Sequence, residues 1–267
     1  MLALMLALTA PGPSSAAIGD WADGAKASAR LIAAGVGDDG RLDAGIEVVL
    51  PPGWKTYWRS PGDAGIAPLF DFSASRNVVE PQVTFPLPHR FDDGYSVTNV
   101  YENRVVFPVS AFVPDRDKPV ELHVVIDLGV CEEVCIPDRI EARLAVAADV
   151  TDAVAARALA SARSGLPGRP EPGRFWVTGA SRQGGSEKRP VFRVSAIAPD
   201  AEAAVVYIEG PPDWYPEVPR FAGVDEGRAA WTVQFSRLGA RTPIAGARLR
   251  VTIVSGDRSI EQSVGLD

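Results

Sequence analysis

The chain has two cysteines. Cys131 and Cys135 stand in the run Gly129-Val130-Cys131-Glu132-Glu133-Val134-Cys135-Ile136-Pro137. At this spacing the thiols can close a small disulfide ring if the loop brings their Cα atoms to about 5.5 Å. Such a bond is either a structural staple or an exchange-active pair. The staple reading is energetically weak, because the chain-entropy gain for a loop of about five residues is roughly 2 kcal/mol. A bond meant to hold a sandwich would join distant strands, whereas tight or exposed disulfides tend to exchange. A third chemistry is a soft copper(I) site made of both thiolates with His89 or His123, although no spacing ties either histidine to the cysteines. The local charges are mixed. Glu132 and Glu133 disfavour thiolate and Arg139 favours it, which suits a thiol that waits for a dedicated partner.

Other residue groups carry weaker signals. Asp92-Asp93-Gly94 reads as an acid/base pair or, more simply, as a turn, since Asp bonds its own backbone two residues on. Strand alternation places Trp54 and Trp58 on one face as core and Tyr57 on the other, which makes Tyr57 a candidate site residue. Pro211-Pro212-Asp213-Trp214-Tyr215-Pro216 is a rigid aromatic loop, either an interaction surface or loop packing. Composition removes several classes. With 27 Lys+Arg against 34 Asp+Glu the formal charge is −7, a poor surface for phosphate backbones. Two cysteines cannot build a four-cysteine zinc site, and two histidines leave little for a multi-His metal centre.

These residues must be positioned by strands. From about residue 28 to 147 the pattern alternates: Leu42, Ala44, Ile46, Val48 and Leu50, with Asp43 and Glu47 opposite; then Val105, Phe107 and Val109; then Leu122, Val124, Ile126 and Leu128; then Ile140, Ala142, Leu144 and Val146. Short alternating strands between Pro/Gly clusters predict an antiparallel sandwich or barrel. The last two runs should pair as a hairpin with both cysteines at its connection. Residues 149–164 read as a short helix capped by Asp149 or Thr151 and ending at Gly165, with a linker through Gly173. Strands return at Phe175–Thr178, Val191–Ile197, Ala203–Ile208, Ala229–Phe235 and Leu249–Val254, with a polar loop at Gln183–Arg189. The expected organisation is a leader over 1–17, a β-sandwich over 18–148, a helix and linker over 149–173, and a second, smaller β-sandwich over 174–267. One large β domain is the alternative.

Residues 1–17 carry no charge, and their apolar run is followed by Pro/Gly and small residues. This is the pattern of a secretory signal. Its usual basic start is missing, so either the true start lies upstream of Met1 or the signal is weak. Export would deliver the chain to an oxidising compartment that permits a disulfide.

Three stretches together carry a family resemblance. They are Gly53-Trp54-Lys55-Thr56-Tyr57-Trp58-Arg59-Ser60-Pro61-Gly62-Asp63-Ala64-Gly65; Phe91-Asp92-Asp93-Gly94-Tyr95 followed by Val100-Tyr101-Glu102-Asn103-Arg104-Val105-Val106-Phe107-Pro108-Val109; and the cysteine loop with Pro137. Over about 28–147 the chain resembles the N-terminal periplasmic domain of the DsbD/ScsB thiol:disulfide interchange family. The resemblance implies an immunoglobulin-like sandwich and a periplasmic electron relay of protein-disulfide reductase type without an organic cofactor. A membrane-embedded thiol reductant would feed it, as a separate chain or a further domain, and thioredoxin-like proteins would receive the electrons. Cys135 would form mixed disulfides and Cys131 would resolve them, with Tyr57, Asp92 and Tyr95 around the pair. Where the family's shielding cap carries a Phe this chain has Gly94, leaving the shielding to Tyr95 or to nothing. The remaining alternatives are an envelope scaffold module with a structural disulfide, and copper handling.

Overall fold

The structure is a computed structural model that describes residues 17–148 and 150–266. The leader reading rests on residues 1–16, which lie outside the described residues, as does Asp149, one of the two expected helix caps. In chain order the elements are β1 (Ala22–Asp23), β2 (Ser28–Val36), β3 (Arg41–Val49), β4 (Lys55–Gly62), β5 (Leu69–Asp71), β6 (Val79–Val83), β7 (His89–Asp92), β8 (Val97–Glu102), β9 (Arg104–Phe112), β10 (Val120–Cys131), β11 (Cys135–Val146) and α1 (Ala153–Ser164). After the helix come β12 (Trp176–Gly185), β13 (Pro190–Ile197), β14 (Val205–Glu209), β15 (Tyr215–Pro216), β16 (Arg220–Asp225), β17 (Arg228–Ser236), β18 (Arg248–Ser255) and β19 (Arg258–Gly265). The fold is all-β with one helix, built from antiparallel immunoglobulin-like β-sandwich domains.

Two compact units share the chain. The first takes the chain through Trp54, then Pro68–Phe85 and Glu102–Ser164; the second takes Lys55–Ala67, Pro86–Tyr101 and everything from Gly165. In the first, one sheet runs β1-β2-β3-β9-β6, and β5 pairs with β10 of the β10–β11 hairpin. The alternating residues of β3, β9, β10 and β11 are buried as their period predicts. Phe70, Phe85 and Phe107 meet among them with ring centroids 5.2 to 5.9 Å apart. Glu47 departs from the expected polar face. It is buried in the middle of β3, and it is tolerated there because Arg30 and Arg104 both reach its carboxylate, at 2.8 and 2.6 Å.

The helix begins later than expected. Asp152, rather than Thr151, caps it: its Oδ1 accepts the N–H of Val154 at 2.8 Å and of Ala155 at 2.7 Å. Ala155 and Leu159 form its buried stripe, packed with Ile32. Gly45 permits this approach, because a Cβ there would stand 2.6 Å from Leu159 Cδ2.

In the second unit β4 lies beside β8, which pairs with β7. A sheet runs β12-β13-β17, with β15 and β16 both pairing with β17, and a three-stranded sheet runs β14-β18-β19. The core between these strands is Phe192, Trp214, Trp231 and Phe235 with aliphatic neighbours. The expected polar loop Gln183–Arg189 is shorter than its composition suggests. β12 continues to Gly185 through a bulge and turns directly into β13.

Candidate functional site

The cysteines sit where the alternating runs place them, at the end of the β10–β11 hairpin. The register holds at every rung from Val120↔Val146 to Cys131↔Cys135. A three-residue turn, Glu132-Glu133-Val134, closes it. The two cysteines are bonded across this last rung with Cα atoms 4.1 Å apart, near the close spacing of a non-hydrogen-bonded antiparallel pair. Regular strand geometry thus brings the two sulfur atoms together across the last rung.

The pair is asymmetric. Cys131 is 9% exposed, behind the fully buried Val130, whereas Cys135 faces solvent. An attacking thiolate needs a line of approach to a sulfur atom, so access singles out Cys135. The turn around it is acidic. Glu132 and Glu133 are exposed, and the Glu132 carboxylate lies over the Gly53 backbone. Arg139, the expected local cation, is committed to its cross-strand neighbour Asp127 at 2.7 Å.

Three residues beyond Cys135, Asp138 anchors the strand. Its carboxylate, 4% exposed, accepts backbone N–H bonds from Ala25 at 2.6 Å, from Lys26 and Ala27 at 2.9 Å, and from Arg139 at 2.9 Å. Burial alone would raise the pKa of this group, but the four N–H donors hold it below the usual carboxylate range. Sequence reasoning missed Asp138, because its partners lie 111 to 113 residues away. The nearest sequence signal is its place directly after the quoted cysteine–proline run.

The remaining candidates belong to the second unit. Tyr57 is 2% exposed and Trp58 1%, so the face of Tyr57 is covered as well as the face of Trp58: β4 is buried on both sides through Lys55, Thr56, Tyr57 and Trp58. The Tyr57 ring lies against Gly65, whose φ is 110° and where a Cβ would stand 2.2 Å from the ring. Burial, then the negative charge of Asp93, pushes the Tyr57 hydroxyl above its ordinary pKa. Asp92 and Asp93 serve the turn. Asp92 accepts the Gly94 N–H at 2.8 Å, and Asp93 accepts those of Tyr95 and Ser96 at 2.9 and 2.7 Å. Tyr95 at the crest of that turn is 100% exposed. Arg59, which sequence reasoning quoted without a role, is half-wrapped by acids and bonds both Glu209, at 2.8 Å, and Glu261. Trp58 packs on Tyr207 at 5.1 Å as core.

The histidines stand apart from the thiols. His123 Nε2 lies 2.7 Å from the Glu141 carboxylate, and the residue stands eight positions before Cys131 on β10, roughly 26 Å at the rise of a strand. His89 is exposed on β7 of the second unit. Among the described residues no group of three or more His, Cys, Asp and Glu is arranged to hold a metal ion.

An all-β sandwich frame that presents one disulfide across the tip of its own hairpin defines a class of β-sandwich disulfide-bearing proteins. Within that class, residues 26–146 match the model of the family described as thiol:disulfide interchange protein DsbD, N-terminal. The resemblance read from the motifs therefore holds over this segment, which spans β2 to β11. The crystal structure of the N-terminal periplasmic domain of ScsB from Proteus mirabilis matches with a TM-score of 0.73 at 24% identity, over 94% of this chain and 99% of that one. At this identity the likeness is one of fold, and it extends past residue 146. No curated protein matches the chain.

Proposed function

We propose that the protein is a thiol–disulfide relay acting in the periplasm through Cys131 and Cys135. The observation that carries this reading is the exposed Cys135 bonded to the buried Cys131 at a hairpin tip. A thiolate of a reduced donor attacks Cys135 Sγ. A donor–Cys135 bond forms, the Cys131–Cys135 bond breaks, and its electron pair leaves on Cys131, which takes up a proton. The donor's second thiolate then displaces Cys135, so the donor leaves oxidised and this chain holds two thiols. In the forward half-reaction the Cys135 thiolate attacks a partner disulfide. Cys131 then attacks Cys135 Sγ in the mixed disulfide, which frees the reduced partner and restores the ring. The donor class is a membrane-embedded thiol reductant and the acceptor class a thioredoxin-like protein, in keeping with the family of residues 26–146. Tyr57, Asp92 and Tyr95 have no assigned part in these steps.

Single-cysteine variants test the roles. Cys131→Ser should accumulate a stable mixed disulfide with a thioredoxin-like partner, seen as one added partner mass by non-reducing mass spectrometry. Cys135→Ser should form none, and its turnover should vanish. Full turnover in Cys135→Ser would refute the scheme. A reduction potential of the pair below about −300 mV would point instead to a structural bond.

A further inference from the structure

Two stretches have no part in the exchange scheme: Arg59–Gly65, the later part of the quoted Gly53–Gly65 run, and the Pro211–Pro216 loop. In the second unit both line one cleft of about 780 Å³. Pro61, Gly62 and Gly65 line it from the first stretch and Pro211, Pro212, Tyr215 and Pro216 from the second, while its two acids are engaged, Asp63 with the Val97 N–H and Glu209 with Arg59. The proline loop is pinned from behind. Trp214 is buried between Phe192 and Phe235, and Asp213 accepts the N–H groups of Arg241 and Thr242 at 2.7 and 2.9 Å. Trp214 therefore settles one half of the loop as packing, whereas Tyr215 is left 65% exposed at the cleft.

The cleft also carries arginines from β18. Arg248 and Arg250 are two apart on a strand, so they share a face, and both line the cleft. Arg59 is already saturated by Glu209 and Glu261. The two β18 arginines are not. Arg248 bonds only the hydroxyl and carbonyl of Ser263, at 3.0 and 2.9 Å, and Arg250 reaches Glu261 no closer than 3.9 Å, among the described residues. An exposed tyrosine in a rigid groove suits an extended or polyproline-type chain, which loses little entropy on binding. Guanidinium groups with spare donors suit carboxylates.

We infer that this cleft binds an extended peptide segment bearing acidic side chains, with Arg248 and Arg250 holding the carboxylates and Tyr215 and the prolines cradling the backbone. The site is independent of the cysteine pair. The probe is a fluorescein-labelled decapeptide of alternating Pro and Glu, titrated by anisotropy against its Pro/Lys counterpart. The intact protein should bind the acidic peptide at least tenfold more tightly. Arg248→Ala/Arg250→Ala should lose at least tenfold, and Tyr215→Ala should weaken binding severalfold. All variants should keep the wild-type melting temperature and wild-type reduction by dithiothreitol. Equal binding of both peptides, or unchanged binding by the double arginine variant, would overturn the inference. So would displacement of the peptide by inorganic phosphate at the same concentration as by unlabelled peptide, which would mark a small-anion site.

Discussion

At the scale of single residues, Cys131 is buried and Cys135 exposed, and Asp138 anchors the strand that carries Cys135. A carboxylate that accepts four backbone N–H groups fixes the strand three residues from the exposed sulfur to the Ala25–Ala27 segment. Hydrogen bonds to a charged group contribute roughly 1.5–3 kcal/mol each at most, and removing the charge leaves buried donors poorly matched. Asp138→Asn should therefore lower stability at pH 7 by about 1–3 kcal/mol in urea unfolding. The pH dependence has a definite sign. The folded pKa lies below the unfolded value, so the stabilisation is full above the ordinary carboxylate range and disappears as pH falls through the folded value. The gap between wild type and Asp138→Asn should accordingly close below about pH 4. A gap that stays constant from pH 7 to pH 3 would mean that the carboxylate charge is not what binds the strand. The cysteines and their hairpin were legible in the sequence, because both lie within one alternating pattern. Asp138 was not, because nothing local marks an acid whose partners come from the other end of the unit.

Elements explain why the site is presented as it is, and how much of that could be read in advance. β3, β9, β10 and β11 bury one face and alternate accordingly, so their strands, faces and the β10–β11 pairing were all legible. That β4 is covered on both sides was not legible, because alternation assigns faces but does not say which of them is buried. The strand β19, with the sequence Arg258-Ser-Ile-Glu-Gln-Ser-Val-Gly265, escaped notice because only Ile260 and Val264 are buried in it. The helix was legible in type and end, but its cap was displaced to Asp152, and Gly45 as its landing place was not foreseeable without knowing which strand it covers. Leu159 is fully buried at that contact. Leu159→Ala should cost about 2–5 kcal/mol, measured by denaturant midpoint, while the rate of reduction by dithiothreitol in the native range stays unchanged. The disulfide itself should matter far less to stability. It closes a ring of about five residues inside a hairpin already in register, so reduction should lower stability by roughly 2 kcal/mol or less. Unfolding on reduction would contradict both the relay and the hairpin as its frame.

For the whole molecule the relevant quantity is charge. The net charge of −7 is spread over the chain, and the cysteine turn adds Glu132 and Glu133 directly beside the exposed sulfur, with no cation within ion-pair distance of either among the described residues. Summed fields of this kind act on encounter rates, speeding approach of positively charged groups and slowing negative ones. The global charge and the local turn act in the same direction, so their effects can be separated by salt and by substitution. Cysteamine, which carries an ammonium group, should reduce the Cys131–Cys135 bond faster than mercaptoacetate once both rates are normalised to thiolate concentration. The ratio should fall towards one as ionic strength rises from about 0.01 M to about 1 M, where the screening length shrinks from roughly 30 Å to roughly 3 Å. Glu132→Gln/Glu133→Gln should remove most of the salt-dependent part of the ratio if the turn dominates, and little of it if the distributed charge does. Either result fits an acidic surface around Cys135 that favours positively charged reductants. Faster reduction by mercaptoacetate at low salt would exclude electrostatic selection at this site.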